Sequence, residues 1–257
     1  MKDWVLITGA SQGIGYEFTK LFAADGYPLV LVARDEARLT QIAAELTARH
    51  GIKAKVLPLD LSLPAAPVEI FDELQREKIH VGILVNNAGF GLQGPFADLD
   101  WRKQSDLVQV NITALAHLTH LFVKPMLARR EGRVMNVASI VAFMPGPFMA
   151  MYYASKAFVH SFSQALAGEL AGTGVSVTAV CPGLTRSQFQ VRAGMTRSEG
   201  FFMMEADEVA RIGYRGMMRG KRLVVTGWLN RLVVGLARVA PIRSMSSVAT
   251  RLNRPHP

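Results

Sequence analysis

Short runs of β-branched and aliphatic residues alternate with longer amphipathic stretches from the start of the chain to about residue 226. This alternation restricts the fold more than any other feature, because strand, covering helix and strand in succession close readily as a parallel sheet with crossover helices. The strand-like runs are Trp4–Thr8, Leu29–Ala33, Ala54–Pro58, Ile83–Asn86, Arg133–Val137, Val175–Val180 and Leu223–Thr226. Several are almost continuously apolar, as strands covered on both faces should be. Helical stretches lie between them at Ile14–Ala24, Glu36–His50, Ala66–Glu77, Asp100–Arg130, Tyr152–Ala171 and Glu205–Arg219. The pattern predicts an α/β fold, a single doubly wound domain whose parallel sheet has about seven strands with helices on both faces.

The expected domain covers residues 1–227, with the 228–257 segment as a basic amphipathic C-terminal extension. Within the domain, Leu184–Met204 is long for a connecting loop, which marks a candidate substrate lid over about 184–204. In the extension, Trp228–Ala240 reads as a helix with Arg231, Gly235 and Arg238 on one narrow face and apolar residues around the rest. Such a helix docks on the body, is buried in an oligomer, or lies at a membrane interface.

Half of the 257 residues are apolar and 19% are charged, which fits a folded chain able to bury a substantial core and not a disordered one. Cys181 is the only cysteine, so no intrachain disulfide can form. A reducing compartment suits that composition, and neither a signal-peptide pattern nor a spanning apolar run is evident, so the expected location is cytoplasmic. The net charge of +9 is concentrated: from Val209 onward there are ten basic residues and no acidic ones, leaving 19 basic against 20 acidic elsewhere. That tail is either a solvated basic face or a contact for an acidic protein, an anionic lipid or a polyphosphate, with peripheral attachment to a membrane surface as one outcome. Only Tyr214 and Trp228 could stack bases there, so nucleic acid is not an expected partner.

The first strand runs into Thr8-Gly9-Ala10-Ser11-Gln12-Gly13-Ile14-Gly15 and then a helix. The glycines let the backbone turn tightly and approach a pyrophosphate with no Cβ in the way. The helix start adds free N–H groups and a positive dipole end. A glycine cluster alone is weak evidence, but one that follows a strand and opens a helix has the context dinucleotide binding requires. The second strand ends Val32-Ala33-Arg34-Asp35. A carboxylate at that tip would suit the ribose hydroxyl of NAD, whereas an arginine suits the 2′-phosphate of NADP. Arg34 therefore favours NADPH over NAD, a preference of roughly 1.5–3 kcal/mol for a charge-assisted bond. Ser11 offers a further hydroxyl. The plainer reading makes Arg34 an exposed charge at a strand end.

Tyr152 and Lys156 stand four apart near the start of a helix and so share a face. A free tyrosine, with a pKa near 10, is a poor base at neutral pH. An ammonium about 5 Å away would favour the phenolate by roughly 3 kcal/mol, about two pKa units. The pair is thus a candidate acid/base, with Tyr153 one position off the shared stripe. Ser139 follows the Arg133–Val137 strand at its C-terminal end, where parallel sheets bind ligands. Asn111 is a polar residue among Val108, Val110, Ile112 and Leu115, and a buried amide there needs partners, kinks the helix or holds a water. Taken singly, Ser139 and Asn111 each fit a structural role better than a catalytic one.

In order along the chain, Thr8-Gly-x-x-x-Gly-Ile-Gly15, Asp60-Leu61, Asn86-Asn87-Ala88-Gly89, Asn111, Ser139, Tyr152-x-x-x-Lys156 and Pro182-Gly183-x-Thr185 resemble the motifs of the short-chain dehydrogenase/reductase superfamily. The resemblance covers roughly residues 4–186 and implies its one-domain Rossmann form. It implies that Gly9, Gly13, Ile14 and Gly15 cradle the pyrophosphate, with Ser11 and Gln12 in the same turn. Asp60 and Leu61 would border the adenine, and Asn87, Ala88 and Gly89 the adenosine side. Ser139 would orient the substrate carbonyl and Tyr152 exchange its proton. Lys156 would hold the nicotinamide ribose and lower the Tyr152 pKa, while Asn111 relays protons through water. Pro182, Gly183 and Thr185 would meet the nicotinamide end. Position 12, often basic in NADP-preferring members, is Gln12 here, which leaves cofactor choice to Arg34. The implied activity is NADP(H)-dependent hydride transfer between nicotinamide and a carbonyl or secondary alcohol, in a homodimer or homotetramer. A non-catalytic NADP(H)-binding sensor or scaffold is the alternative, though it would be expected to lose the Ser–Tyr–Lys set, which is intact.

Phe90, Leu92, Phe96, Met144, Phe148 and Met149 follow the motif strands, and the lid segment carries Phe189, Phe201, Phe202, Met203 and Met204. If they line one cleft, the substrate is a bulky apolar ketone or acyl compound; otherwise many of them pack the core or an oligomer interface.

Overall fold

Strands β1 (Trp4–Thr8), β2 (Leu29–Ala33), β3 (Ala54–Pro58), β4 (Val81–Asn86), β5 (Gly132–Val137) and β6 (Val175–Cys181) lie in one parallel sheet in the computed structural model, which describes residues 2–194 and 203–254. Two short strands, β7 (Thr185–Arg186) and β8 (Met204–Glu205), pair separately, and β9 (Leu223–Val225) completes the main sheet. The order is β3-β2-β1-β4-β5-β6-β9. The seven expected strands are all present, and none departs from its expected bounds by more than two residues.

Both faces of the sheet are covered, which is why its strands read as unbroken apolar runs. In β1, Val5 and Ile7 enter one core while Leu6 enters the other. In β2, Leu29 and Leu31 follow the first and Val30 and Val32 the second, the period of two that a pleated strand imposes. One core receives helices α1 (Gly13–Ala24), α2 (Glu36–His50) and, later in the chain, the Ala206–Met218 helix, through Phe18, Leu39 and Met217. The other receives α3 (Ala66–Arg76), through Ile70, and the helix that begins at Leu115, through Phe122.

The expected Asp100–Arg130 helix is not continuous. It consists of α4 (Trp101–Val108), a π-helical segment over Gln109–Ala114, and α5 (Leu115–Arg129). A π segment accommodates an extra residue that the regular ladder cannot, and Asn111 sits inside it. Helix α6 (Ala150–Glu169) starts two residues earlier than expected. After the single-turn α7 (Phe189–Arg192) and α8 (Ala206–Met218), α9 (Trp228–Val239) packs its Val234 inward. A last helix, α10 (Ile242–Asn253), has no counterpart in the sequence reading. Ser244, Ser246 and Ser247 leave it few apolar residues, although those it has recur at a helical period.

The strand order reverses between β1 and β4, and at such a point the loops leaving the C-terminal ends diverge and open a crevice. The glycine turn after β1, Asn87–Gly89 after β4 and Ser139 after β5 all lie along that edge.

Candidate active site

The end of β1 is stitched to the end of β4. Thr8 Oγ1 accepts from the backbone N–H groups of Asn87 and Ala88, each at 3.0 Å, and Asn87 Nδ2 donates to the Thr8 carbonyl at 2.9 Å. Gly9 adopts φ +66°, and a Cβ on Gly15 would come within 2.1 Å of the Gly9 carbonyl oxygen. Only glycine allows this approach, which sets α1 against the turn. Gln12 caps α1 without a side-chain bond, so first-turn N–H groups remain for an anion. Ser11, Gln12, Gly13, Tyr16, Asp35, Arg38 and Gln188 line an open polar groove beside the turn.

Of two arginines just past β2, Arg38 lines this groove and Arg34 does not. Arg34 is exposed and stands 3.7 Å from Asp60, an ion pair too exposed to hold the guanidinium firmly. Arg38, which the sequence reading passed over, lies above the Tyr16 ring at 5.2 Å. Asp35 accepts from the Arg38 backbone N–H at 3.0 Å and caps α2, so its carboxylate has a local role. The spacing of Asp35 before an amphipathic run was the available signal for that cap. Leu61 is buried beside this edge, and Asp60 accepts from the Ser62 N–H at 2.9 Å. A pyrophosphate and a ribose phosphate fit the donors gathered here.

Tyr152 and Lys156 lie on one face of α6. The Lys156 ammonium is 5.9 Å from the Tyr152 ring centre and donates to the Val137 carbonyl at 2.8 Å. Ser139 caps the short 3₁₀ turn Ile140–Phe143, accepting from the Val141 N–H at 3.3 Å and reaching the Pro182 carbonyl at 3.3 Å. Burial pushes the Tyr152 phenol above its ordinary range, with the Ser139 hydroxyl opposing the rise. Burial also lowers Lys156 to about 8, against the pull of Cys181. The expected depression of the phenol by the neighbouring ammonium is therefore not what the protein's own groups produce. Desolvation penalises the phenolate and the ammonium alike, and it is the largest influence on each.

Asn111 approaches the same point. Its Oδ1 accepts from Phe90 N–H at 3.1 Å, and its Nδ2 donates to the Phe90 carbonyl and to Ser155 Oγ, both at 3.0 Å. A Cβ on Gly89 would lie 3.0 Å from Asn111 Oδ1 and 3.3 Å from Lys156 Nζ, which places the three residues together. Both amide protons are occupied, so the side chain fixes the Phe90 loop to α6. Beneath them, buried Asn136 receives a hydrogen bond from Asn86 Nδ2 at 2.9 Å and donates to Ser163 Oγ at 2.9 Å, tying β4 and β5 to α6. Its signal was an amide inside an apolar strand. Further along, Thr185 Oγ1 donates to the Gly183 carbonyl at 3.0 Å, and a Cβ on Gly183 would strike the Asn230 side chain of α9 at 2.3 Å.

The proposed apolar cleft divides. Phe189 packs on Tyr152 with ring centres 5.1 Å apart, and Met149, Met144 and Val141 join the same cluster. Gly91 leaves room for them: a Cβ there would meet Phe189 at 2.9 Å and Met149 at 3.2 Å. Phe90 instead packs on the core, while Leu92, Phe96 and Phe148 line a separate shallow pocket. Met204 lies against Asn230, 3.8 Å from its Nδ2. Phe201 and Phe202 fall outside the described residues.

A parallel sheet carrying a glycine-lined anion turn at its point of reversal defines a dinucleotide-binding α/β protein. Residues 3–198 match the family described as short chain dehydrogenase, and the chain belongs to that family. A very-long-chain 3-oxoacyl-CoA reductase of Pyrenophora tritici-repentis is 36% identical over 181 residues, 69% of this chain and 53% of that protein. The chain thus spans about half the length of the curated relatives of that name. Sulfoacetaldehyde reductase 2 of Chromohalobacter salexigens is 36% identical over 221 residues, covering 82% of this chain and 87% of its own. Among solved structures, a short-chain dehydrogenase from Sphingobium yanoikuyae in complex with NADPH superposes with a TM-score of 0.84 at 35% identity, over 93% of this chain and 97% of that one.

Proposed function

We propose that the chain is an NADP(H)-dependent oxidoreductase that interconverts a carbonyl and a secondary alcohol, with Tyr152 as its acid/base. The observation that carries this reading is the placement of Tyr152 and Lys156 on one face of α6, with Ser139 on the sheet edge that also bears the glycine turn. Gly9, Ser11, Gln12, Gly13, Ile14 and Gly15 would hold the pyrophosphate, and Arg34 with Arg38 the 2′-phosphate. Asp60, Leu61, Asn87, Ala88 and Gly89 would border the adenosine, and Pro182, Gly183 and Thr185 the nicotinamide. The bound nicotinamide supplies or accepts the hydride. The NADPH in the Sphingobium yanoikuyae relative supports this cofactor choice, as does the use of Asp35 as a helix cap.

The protein's part is the proton. The Tyr152 phenol, which burial raises above a range already well over neutral pH, is protonated and placed to give its proton to a carbonyl oxygen as the carbon is reduced. Ser139, whose hydroxyl oxygen accepts from the Val141 N–H, would turn its single proton from the Pro182 carbonyl to that oxygen and donate a second hydrogen bond. Lys156 stabilises the phenolate left behind. Asn111 holds the Phe90 loop beside them. In the alcohol-to-carbonyl direction each proton moves the other way.

Met149, Met144, Val141 and Phe189 around Tyr152 support a bulky apolar substrate. The two relatives are named for very different carbonyls, a very-long-chain 3-oxoacyl-CoA and sulfoacetaldehyde, so the lining is the better guide. Tyr152→Phe tests the reading: NADPH-coupled reduction across ketones and acyl thioesters of graded size should fall by about 10²–10⁴-fold, the usual contribution of a positioned acid. NADPH binding should persist. Undiminished turnover in the variant would remove Tyr152 from the chemistry.

A further inference from the structure

We propose that the outer faces of α9 and α10 form a docking surface for an anionic lipid bilayer. α9 turns Val234 inward and leaves Trp228, Leu232, Leu236 and Val239 outside, within about 80° of one another around the helix. Trp228 is 69% exposed and Val239 82%. On α10, Val248 and Leu252 lie one turn apart on the outside, Leu252 at 68% exposure. An apolar stripe of this size in water is unusual unless something covers it.

Charge identifies what covers it. Residues 228–254 carry five arginines and no aspartate or glutamate. Arg231 borders the α9 stripe, while Arg243 and Arg251 lie on the exposed side of α10. A second copy of this face would set arginines against arginines. An acidic protein would satisfy the arginines but not a tryptophan and a row of aliphatic side chains. A bilayer with anionic headgroups takes both: arginines to the phosphates, Trp228 to the interfacial layer, and the aliphatic stripe to the upper acyl region. No helix among the described residues is long and apolar enough to cross a membrane, so the helices would lie in the plane of the surface.

The inward faces of the same helices touch the candidate site. Arg238 lies over Phe143, in the turn that Ser139 caps, at 5.3 Å, and Asn253 is bonded to Tyr153. Docking would therefore hold the Tyr152 region beside a phase in which apolar substrates concentrate. That consequence rests on the proposed activity, whereas docking itself does not.

The test is flotation of the full chain with phosphatidylcholine vesicles, with and without about 30% phosphatidylglycerol, at low and at high salt. Binding is expected only to the anionic vesicles and should weaken with salt. The double variant Leu232→Ser with Leu236→Ser should lose binding. Arg243→Glu with Arg251→Glu should weaken it by about 30-fold or more, taking roughly 1 kcal/mol for each arginine removed. NADPH binding and circular dichroism should match the unsubstituted chain in both variants, and this readout separates loss of docking from loss of fold. Several outcomes overturn the proposal: no binding to anionic vesicles at low salt, equal binding to neutral ones, or full binding by either variant. A dimer that the serine variant converts to monomer, with no vesicle binding, would assign the stripe to self-association. Capture by polyglutamate without vesicle binding would assign the arginines to an acidic protein.

Discussion

Asn253 and Tyr153 hold each other across 100 residues of chain: Asn253 Nδ2 lies 3.0 Å from the Tyr153 hydroxyl, and that hydroxyl lies 3.3 Å from Asn253 Oδ1. The same asparagine donates to the Pro147 carbonyl at 3.1 Å, and its own carbonyl accepts from Gln93 Nε2 at 2.7 Å. Tyr153 stands edge-on to Tyr152, ring centres 6.2 Å apart. The last helix is thereby fastened to the neighbour of the proposed acid/base and to two loops beside it.

Asn253→Ala should loosen that fastening. It leaves the buried Tyr153 phenol without its partner, which costs about 1–3 kcal/mol. Urea denaturation should register the loss. Steady-state kinetics should show KM for an apolar ketone rising more than kcat falls, because the wall of the site moves while the acid/base stays. Unchanged stability and kinetics would mean that α10 is a passive cover.

Arg34→Ala and Arg38→Ala should each weaken NADPH binding far more than NADH binding. Loss of one charge-assisted bond to the 2′-phosphate corresponds to about 1.5–3 kcal/mol, or roughly 10- to 100-fold in affinity. Fluorescence titration with both cofactors measures the ratio. Equal losses for the two would place the arginines elsewhere than at the 2′-phosphate.

Lys156 carries a pH signature. Burial brings it from 10.5 to about 8, so between those values the unfolded chain holds a proton that the folded chain lacks. Folding stability from this group therefore rises with pH across that window, and below it both states are charged and the full burial penalty applies. Lys156→Met removes the penalty, worth up to roughly 3 kcal/mol at neutral pH and partly offset by the lost bond to Val137. Measured by urea denaturation from about pH 7 to 10, the variant's advantage should shrink as pH rises. An advantage that stays constant would show that burial of the ammonium is not its source. Turnover by the variant should be lost at every pH.

Much of the fold was legible because its signals are local. A strand covered on both faces must be apolar at every position, and the runs containing Val5, Leu6 and Ile7 or Leu29 to Val32 display that directly. Gly9 and Gly15 declared the turn because only a residue without Cβ survives the contacts there. The four-residue step from Tyr152 to Lys156 fixed their shared face by helical geometry alone. Arg38 was missed because a charge one turn into an amphipathic helix looks solvated until the groove beside it is seen.

By itself, then, the sequence determined what depends on backbone conformation and periodicity: the parallel sheet, the glycine turn and the spacing of the Tyr–Lys pair. Tertiary packing decided the rest. It set Phe189 on the Tyr152 ring, sent Phe90 to the core, broke a helix at Asn111 and tied Asn253 to Tyr153. It also set the burial that raises the Tyr152 phenol. An ion pair's attraction can be estimated from two residues, but desolvation depends on everything that surrounds them.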